Sequence, residues 1–187
     1  MPAHQRIKIQ HAAHCLRAGG VIAYPTETVW GLGCDPLNPQ AVQRLLTIKQ
    51  RAMARGLILI AADLAHLQDY IKMPNKTRMK KVLASWPGPT TWVFPAQAWV
   101  PEFLRGRHSG IAVRISSHPL AQALCKYWGG ALISTSANIS GRPVVRNGFL
   151  LRRYLAKRLD YILSGQPGPH AGASQIRDVL SGKLMRA

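Results

Sequence analysis

The stretch PQAVQRLLTIKQRAMARGLILIA, residues 39–61, contains both halves of the architecture. From Pro39 to Gln50 the apolar residues Ala41, Val42, Leu45, Leu46 and Ile48 fall on one broad helical face. After a cationic loop ending at Gly56, Leu57–Ala61 is a short unbroken apolar run of the kind a buried strand requires. The same two patterns recur on either side. Val21–Tyr24, Thr91–Phe94, Ile111–Ile115 and Ala131–Ser134 read as further strands, bounded by Gly, Pro or polar clusters. Asn75–Ser85 and Pro119–Tyr127 read as helices, the latter with proline in its first turn. Such alternation predicts an α/β layered sheet, and the neighbouring runs at Thr91 and Ile111 predict that it is mixed rather than purely parallel.

The chain has 187 residues, a length suited to one domain, with no fixed-period repeat and no low-complexity linker. A hydrophobic fraction of 47% and a charged fraction of 17% exclude wholesale disorder, and no apolar run approaches the roughly 20 residues that span a bilayer. The first twenty residues lack the unbroken apolar segment of a secretory signal. Cys15, Cys34 and Cys125 are odd in number and far apart, which suggests neither a disulfide framework nor a zinc site and fits a reducing cytoplasm. Seven scattered histidines, His170 among them, contain one pair at helical spacing, His11 and His14, with no third ligand nearby; they read as a solvated face.

Lys and Arg number 25 against 7 Asp and Glu, leaving +18, enough for the surface field to attract polyanions. Two cationic runs, KTRMKK at Lys76–Lys81 and RRYLAKR at Arg152–Arg158, lie on helix-like patterns. Each alone is a solvated face; together they suggest one continuous phosphate-attracting surface that would bind backbone and shape rather than base sequence.

Five segments carry candidate chemistry. In AYPTETVWGLGCD, residues 23–35, a strand ends at Pro25, Thr26 and Thr28 offer hydroxyls, and Gly31 and Gly33 suggest a turn open to a ligand or merely a structural one. Lys49, Arg51 and Arg55 leave a helix C-terminus, where cations suit the dipole; they could equally converge on a polyphosphate. In SWPGPTTWVF, residues 85–94, Trp86 and Trp92 beside a Pro-Gly-Pro turn read as core anchors. Arg114, inside an apolar strand, needs a carboxylate partner from the protein or a ligand, and acids are scarce. LISTSANISGRP, residues 132–143, gathers hydroxyl and amide donors beside Arg142 and reads as a capped turn or a phosphate and ribose site.

Taken in order, YPTETVWGLG, KQR, WPGPTT, AVRIS, STSANISGRP and SQIRD resemble the YrdC family in its short, single-domain, TsaC-type form, over nearly the whole chain. The resemblance implies a single-domain α/β fold, a twisted mixed sheet flanked by helices, with a concave basic cavity. It further implies an enzyme that makes L-threonylcarbamoyl-adenylate from L-threonine, bicarbonate and ATP, releasing pyrophosphate, with downstream tRNA-modifying proteins passing the group to an adenosine beside the anticodon. By motif, Lys49 and Arg51 would be catalytic, and Arg51, Arg55, Ser136, Asn138 and Arg142 would hold ATP. Thr28, Arg114, Ser134 and Ser174 would hold threonine, with Arg114 facing its carboxylate. Mg²⁺ is expected on the phosphates, held by ATP and water, since the motifs offer few carboxylates besides Glu27 and Asp35; no protein metal site is expected. The chain departs from many relatives at Ala52, Met53, Ala54 and Ile60, where they carry a Pro-x-Asp segment and a histidine, and has Trp30 in place of a tyrosine as an aromatic wall. The rival readings are a non-catalytic double-stranded RNA or tRNA-binding module and another carbamoyl transfer on the same scaffold. Direct RNA contact is also compatible with catalysis.

Overall fold

The computed structural model describes residues 1–169 and 174–186. His170 and the Gly172-Ala173 pair before Ser174 lie outside them. Within the described residues the chain begins with helix α1 (Ala3–Arg17), followed by the antiparallel pair β1 (Ile22–Pro25) and β2 (Trp30–Gly33). Helix α2 (Pro39–Lys49) starts at Asn38, whose side chain accepts from Ala41 N at 2.9 Å, and stops at Gln50, which takes a left-handed φ of 49°. A single 3-10 turn, Met53–Arg55, leads into β3 (Ile58–Ala61). There follow α3 (Lys76–Leu83), β4 (Thr91–Pro95), the short α4 (Glu102–Arg105), β5 (Gly110–Ile115), α5 (Pro119–Trp128) and β6 (Leu132–Ser136). The chain ends with α6 (Gly148–Leu155), β7 (Tyr161–Ile162), β8 (Ile176–Asp178) and β9 (Leu184–Arg186).

The strands form one sheet in the order β7-β1-β2-β6-β3-β5-β4-β8-β9. Pairs β1/β7, β3/β5 and β4/β8 are parallel and the others antiparallel, so the sheet is mixed as its sequence implied. The five expected strands are present with ends shifted by one or two residues, and three expected helices match α2, α3 and α5. Strands β2, β7, β8 and β9 were not foreseen. Three of these are only two or three residues long, below the length at which alternation is readable, and two glycines in four residues give β2 the pattern of a turn.

Alternation assigns the two faces. Ala23, Trp30, Leu32, Leu59, Ala61, Phe94, Ile111, Val113 and Ile133 point to one face and pack with Val42, Leu45 and Leu46 of α2, Met79 and Val82 of α3, and Leu151 and Leu155 of α6. Trp86 and Trp92 are anchors of this core: their indole N–H groups donate to Thr90 O at 2.8 Å and Ser85 Oγ at 2.9 Å. On the opposite face, helices α1 and α5 cover Ile22, Tyr24, Ile60 and Leu132, with Ile58 and Tyr161 packed at the margin. Farther along the same face, Gly31, Ala112, Arg114 and Ser134 lie outside that cluster and line open cavities, with Ile58 at the border. Arg186 of the last strand lines the same cavity as Thr28 between the first two, so the sheet curls into a trough.

Two expectations change. Gly31 and Gly33 sit in strand β2, not in a turn: the Tyr24 ring of the paired strand lies against both, and a Cβ on Gly31 would stand 3.5 Å from it. The turn is Thr26–Val29, closed by Thr26 Oγ1 donating to Val29 O at 2.6 Å. The two basic helices do not make one continuous surface. Helix α3 is tied through Arg78 to Leu180 after β8, whereas α6 lies against Trp30 of β2, toward the other end of the strand order. No helix among the described residues is long and apolar enough to cross a membrane.

Candidate active site

Two cavities share the open face. The inner one, about 220 Å³, is lined by Thr26, Thr28, Val29, Gly31, Arg51, Leu57, Ile58, Arg114, Ser134, Thr135, Ser136, Val144, Ser174 and Arg186. The outer one, about 830 Å³, begins at Arg51, Leu57, Ile58 and Arg186 and widens past Arg55, Lys72, Arg105 and Arg107. Arg51 and Arg186 thus stand at the junction of a small hydroxyl-lined chamber and a broad cationic one.

Strand geometry explains the inner chamber. Arg114 pairs in register with Ile60 of β3, which α1 and α5 cover; the arginine points the same way but beyond the helices' reach. Thr28, Arg114, Ser134 and Ser174 are buried polar groups brought to this one cavity from four separate segments. Ser174 Oγ accepts from Thr91 Oγ1 at 3.1 Å and from Arg186 Nη2 at 3.3 Å, leaving its own proton to donate. Arg114 does have a protein partner: Glu27 Oε2 lies 3.4 Å from its Nη2. Glu27 is itself buried, and Oε1 accepts from Ser116 Oγ at 2.9 Å and Ser117 N at 2.7 Å. Burial pushes this carboxyl up, but Arg114 and the two serine donors outweigh it and hold it below the ordinary glutamate value.

At the junction, Arg51 Nη2 donates to Gly56 O at 2.9 Å, which fixes the loop that carries Arg55. Burial, then the charges of the neighbouring Arg55 and Arg186, press its pKa downward. Arg55 is exposed and lines the outer cavity.

Lys49, Asn138 and Arg142 occupy a different position: none of them lines either cavity. The Lys49 ammonium donates to Ser136 O, to Asn138 O at 2.9 Å and to Asn138 Oδ1 at 3.2 Å. Asn138 Oδ1 also accepts from Ser136 Oγ at 2.6 Å, its Nδ2 donates to Arg142 O, and Lys49 O accepts from Ser140 N at 2.8 Å. Lys49 and Asn138 therefore form the frame of the loop after β6, and that frame sets Ser136 at the cavity wall. Burial, then the charge of Arg51, bring the lysine down to about 8.

Sequence reasoning overlooked Arg186 and the Glu27 contact with Arg114. A single arginine ending a three-residue strand carries no local signal, and Glu27 meets Arg114 and the serines only through the loop between β1 and β2. Trp30 is no wall of the cavity: it alternates with the cavity-lining Val29 and Gly31, and its side chain is 1% exposed in the core. The helical pair His11 and His14 is exposed on α1, and among the described residues no three His, Cys, Asp or Glu side chains cluster as metal ligands.

Residues 14–187 match the Sua5, YciO and YrdC family, described as "Telomere recombination". The chain is 49% identical over 185 residues to the threonylcarbamoyl-AMP synthase of Stenotrophomonas maltophilia, covering 98% of this chain and 100% of that one. It is 46% identical to the threonylcarbamoyl-AMP synthase of Coxiella burnetii, covering 95% and 96%. Among solved structures, P. abyssi Sua5 complexed with L-threonine superposes with a TM-score of 0.90 at 30% identity, over 97% of this chain and 54% of that one. The present chain thus spans about half the length of that Sua5. E. coli YciO superposes with a TM-score of 0.80 at 30% identity, over 93% and 84%.

Proposed function

We infer that this chain, which belongs to the Sua5, YciO and YrdC family, condenses L-threonine, bicarbonate and ATP into L-threonylcarbamoyl-adenylate and releases pyrophosphate. It is an enzyme of tRNA modification, and the RNA-binding module without catalysis is the less favoured reading. The observation that carries the reading is the junction itself: a small chamber with a buried arginine and hydroxyls, opening through Arg51 and Arg186 into a cationic trough. A zwitterionic amino acid with a hydroxyl fits the first and a polyphosphate the second.

In this reading Arg114 takes the threonine carboxylate, with Thr28, Ser134 and Ser174 as hydroxyl partners. Arg51, Arg55 and Arg186 meet the phosphates, and Ser136, held by Lys49 and Asn138 with Arg142 on the same loop, faces the nucleotide. The threonine amine, deprotonated, attacks bicarbonate and water leaves to give a carbamate; a carbamate oxygen then attacks the α-phosphorus, and the bond to the bridging oxygen breaks as pyrophosphate departs. Such a displacement needs orientation and neutralisation of developing charge rather than a protein nucleophile, which is what converging guanidinium groups supply. Neither Glu27, which pairs with Arg114, nor Asp35 lines either cavity, so the carboxylates of the motif are not placed at the phosphates. Mg²⁺ then enters as the ATP complex, held by phosphates and water. The adenylate passes to proteins that transfer its threonylcarbamoyl group to the adenosine beside the tRNA anticodon. Residues 1–187 work as one domain, and the substrates fit a cytoplasmic setting.

The test is pyrophosphate release from Mg²⁺-ATP. Release that requires threonine and bicarbonate together is expected, with Arg51→Ala raising the KM for ATP and Arg114→Ala raising that for threonine about 30-fold or more. Release indifferent to threonine would overturn the reading.

A further inference from the structure

Arg114 is buried, but among the described residues its guanidinium donates no hydrogen bond, and its Nε is sealed from water without a partner. A buried arginine normally satisfies its donors on a carboxylate in a bidentate pair at roughly 2.7–2.9 Å. Here the neutralising carboxylate stops short: Glu27 Oε2 is 3.4 Å from Nη2 and, among the described residues, itself lacks a hydrogen-bond partner. The reason lies on the other oxygen. Glu27 Oε1 is held by Ser116 Oγ and Ser117 N, both just past the end of β5, and Ser116 N is fixed on Ala61 O at 3.0 Å. The carboxylate is pinned from behind, close enough to compensate the buried charge and too far to consume the fork.

We propose that Glu27 is a positioning residue: it holds the Arg114 guanidinium in place while Ser116 and Ser117 keep it from occupying the donors that receive the substrate carboxylate. This rests on the reading that Arg114 binds the carboxylate of threonine. Glu27 does not line the cavity, so its effect is exerted through Arg114. Removing its charge leaves Arg114 buried without a counter-ion, and the side chain relaxes toward other acceptors. The loss falls on threonine binding and leaves the phosphate end of the trough unaffected.

The experiment compares Glu27→Gln, Glu27→Asp, Ser116→Ala and Arg114→Ala by KM and kcat for threonine and for ATP, with melting temperatures. Glu27→Gln raises the threonine KM about tenfold while the ATP KM stays within about twofold. Glu27→Asp, which keeps the charge, recovers part of that loss. In the double variant with Arg114→Ala the Gln change adds nothing further. Should Glu27→Gln fail to fold, Ser116→Ala reads the same site: with one of its ties removed and Ser117 N still donating, Glu27 moves closer to Arg114 and competes with substrate, and the threonine KM rises several-fold. If Arg114→Ala leaves the threonine KM unchanged, the reading of Arg114 itself fails. If Arg114→Ala raises it while folded Glu27→Gln and Ser116→Ala do not, or they move both KM values alike, the positioning role is overturned and Arg114 stands without it.

Discussion

Lys49 is 2% exposed, and its ammonium has three oxygens to serve, all on the Ser136–Asn138 segment. An amine has two N–H donors, an ammonium three, so deprotonation removes one tie from that loop. Folding lowers the lysine from 10.5 to about 8, meaning that the folded chain gives up this proton before the unfolded chain does. Between those values the unfolded state binds more protons, and stability from this group rises with pH; below about 8 its cost is constant. Function runs the other way. The ATP KM of the wild type is expected to climb as pH passes about 8 without loss of melting temperature, while Lys49→Met starts with a raised KM and has no such bend. Steady-state kinetics and thermal melts over that range check both. The KQR motif made Lys49 legible as a residue of the site. Its role was not, because the acceptors are backbone and side-chain oxygens about ninety positions away.

At the scale of elements, two short pieces set the cationic junction. The turn Met53–Arg55 lies against the end of α4, and Gly56 and Gly106 face each other there with φ of 64° and 65°. Leu57 N donates to Leu104 O at 2.8 Å and Arg107 N to Ala54 O at 3.2 Å, locking the two segments together. A Cβ on Gly106 would overlap Ala54 O and meet Gly56 N at 2.5 Å, and the backbone would have to leave its left-handed conformation. Gly106→Ala is therefore expected to cost about 1–3 kcal/mol in denaturant melts and to raise the ATP KM, because the loop that carries Arg51 and Arg55 must move. An unchanged ATP KM in a destabilised variant would show the loop to be independent of α4. The helix-to-strand switch from Pro39 to Ala61 was readable because each half is long enough to display its own period. Strand β2 was not, since four residues with two glycines look like a turn until Tyr24 is seen to pack against them.

For the molecule as a whole, the charge of +18 is spread unevenly. Arg55, Arg105 and Arg107 line the open outer cavity, whereas Arg114 lies buried in the inner one beside Glu27. Salt screens exposed charges and reaches buried pairs far less. Raising monovalent salt from about 50 to about 500 mM is expected to increase the ATP KM several-fold and to move the threonine KM less than about twofold. Equal sensitivity of the two would mean that both substrates are held by exposed charge.

The sequence by itself determined the α/β class, the mixed sheet, the five strands and three helices with a clear period, and the residues Thr28, Arg51, Arg114, Ser134, Ser136 and Ser174 that line one cavity. The class and the elements depend on local periodicity, which a linear reading retains; the site residues were legible through motifs whose order resembles the YrdC family. Long-range packing alone makes Lys49 and Asn138 the frame of a loop behind that cavity, puts Trp30 in the core, brings Arg186 to the site and sets Glu27 behind Arg114. Each of these depends on which face a short strand turns inward and on how far the sheet curls, and a pairing between distant strands fixes both.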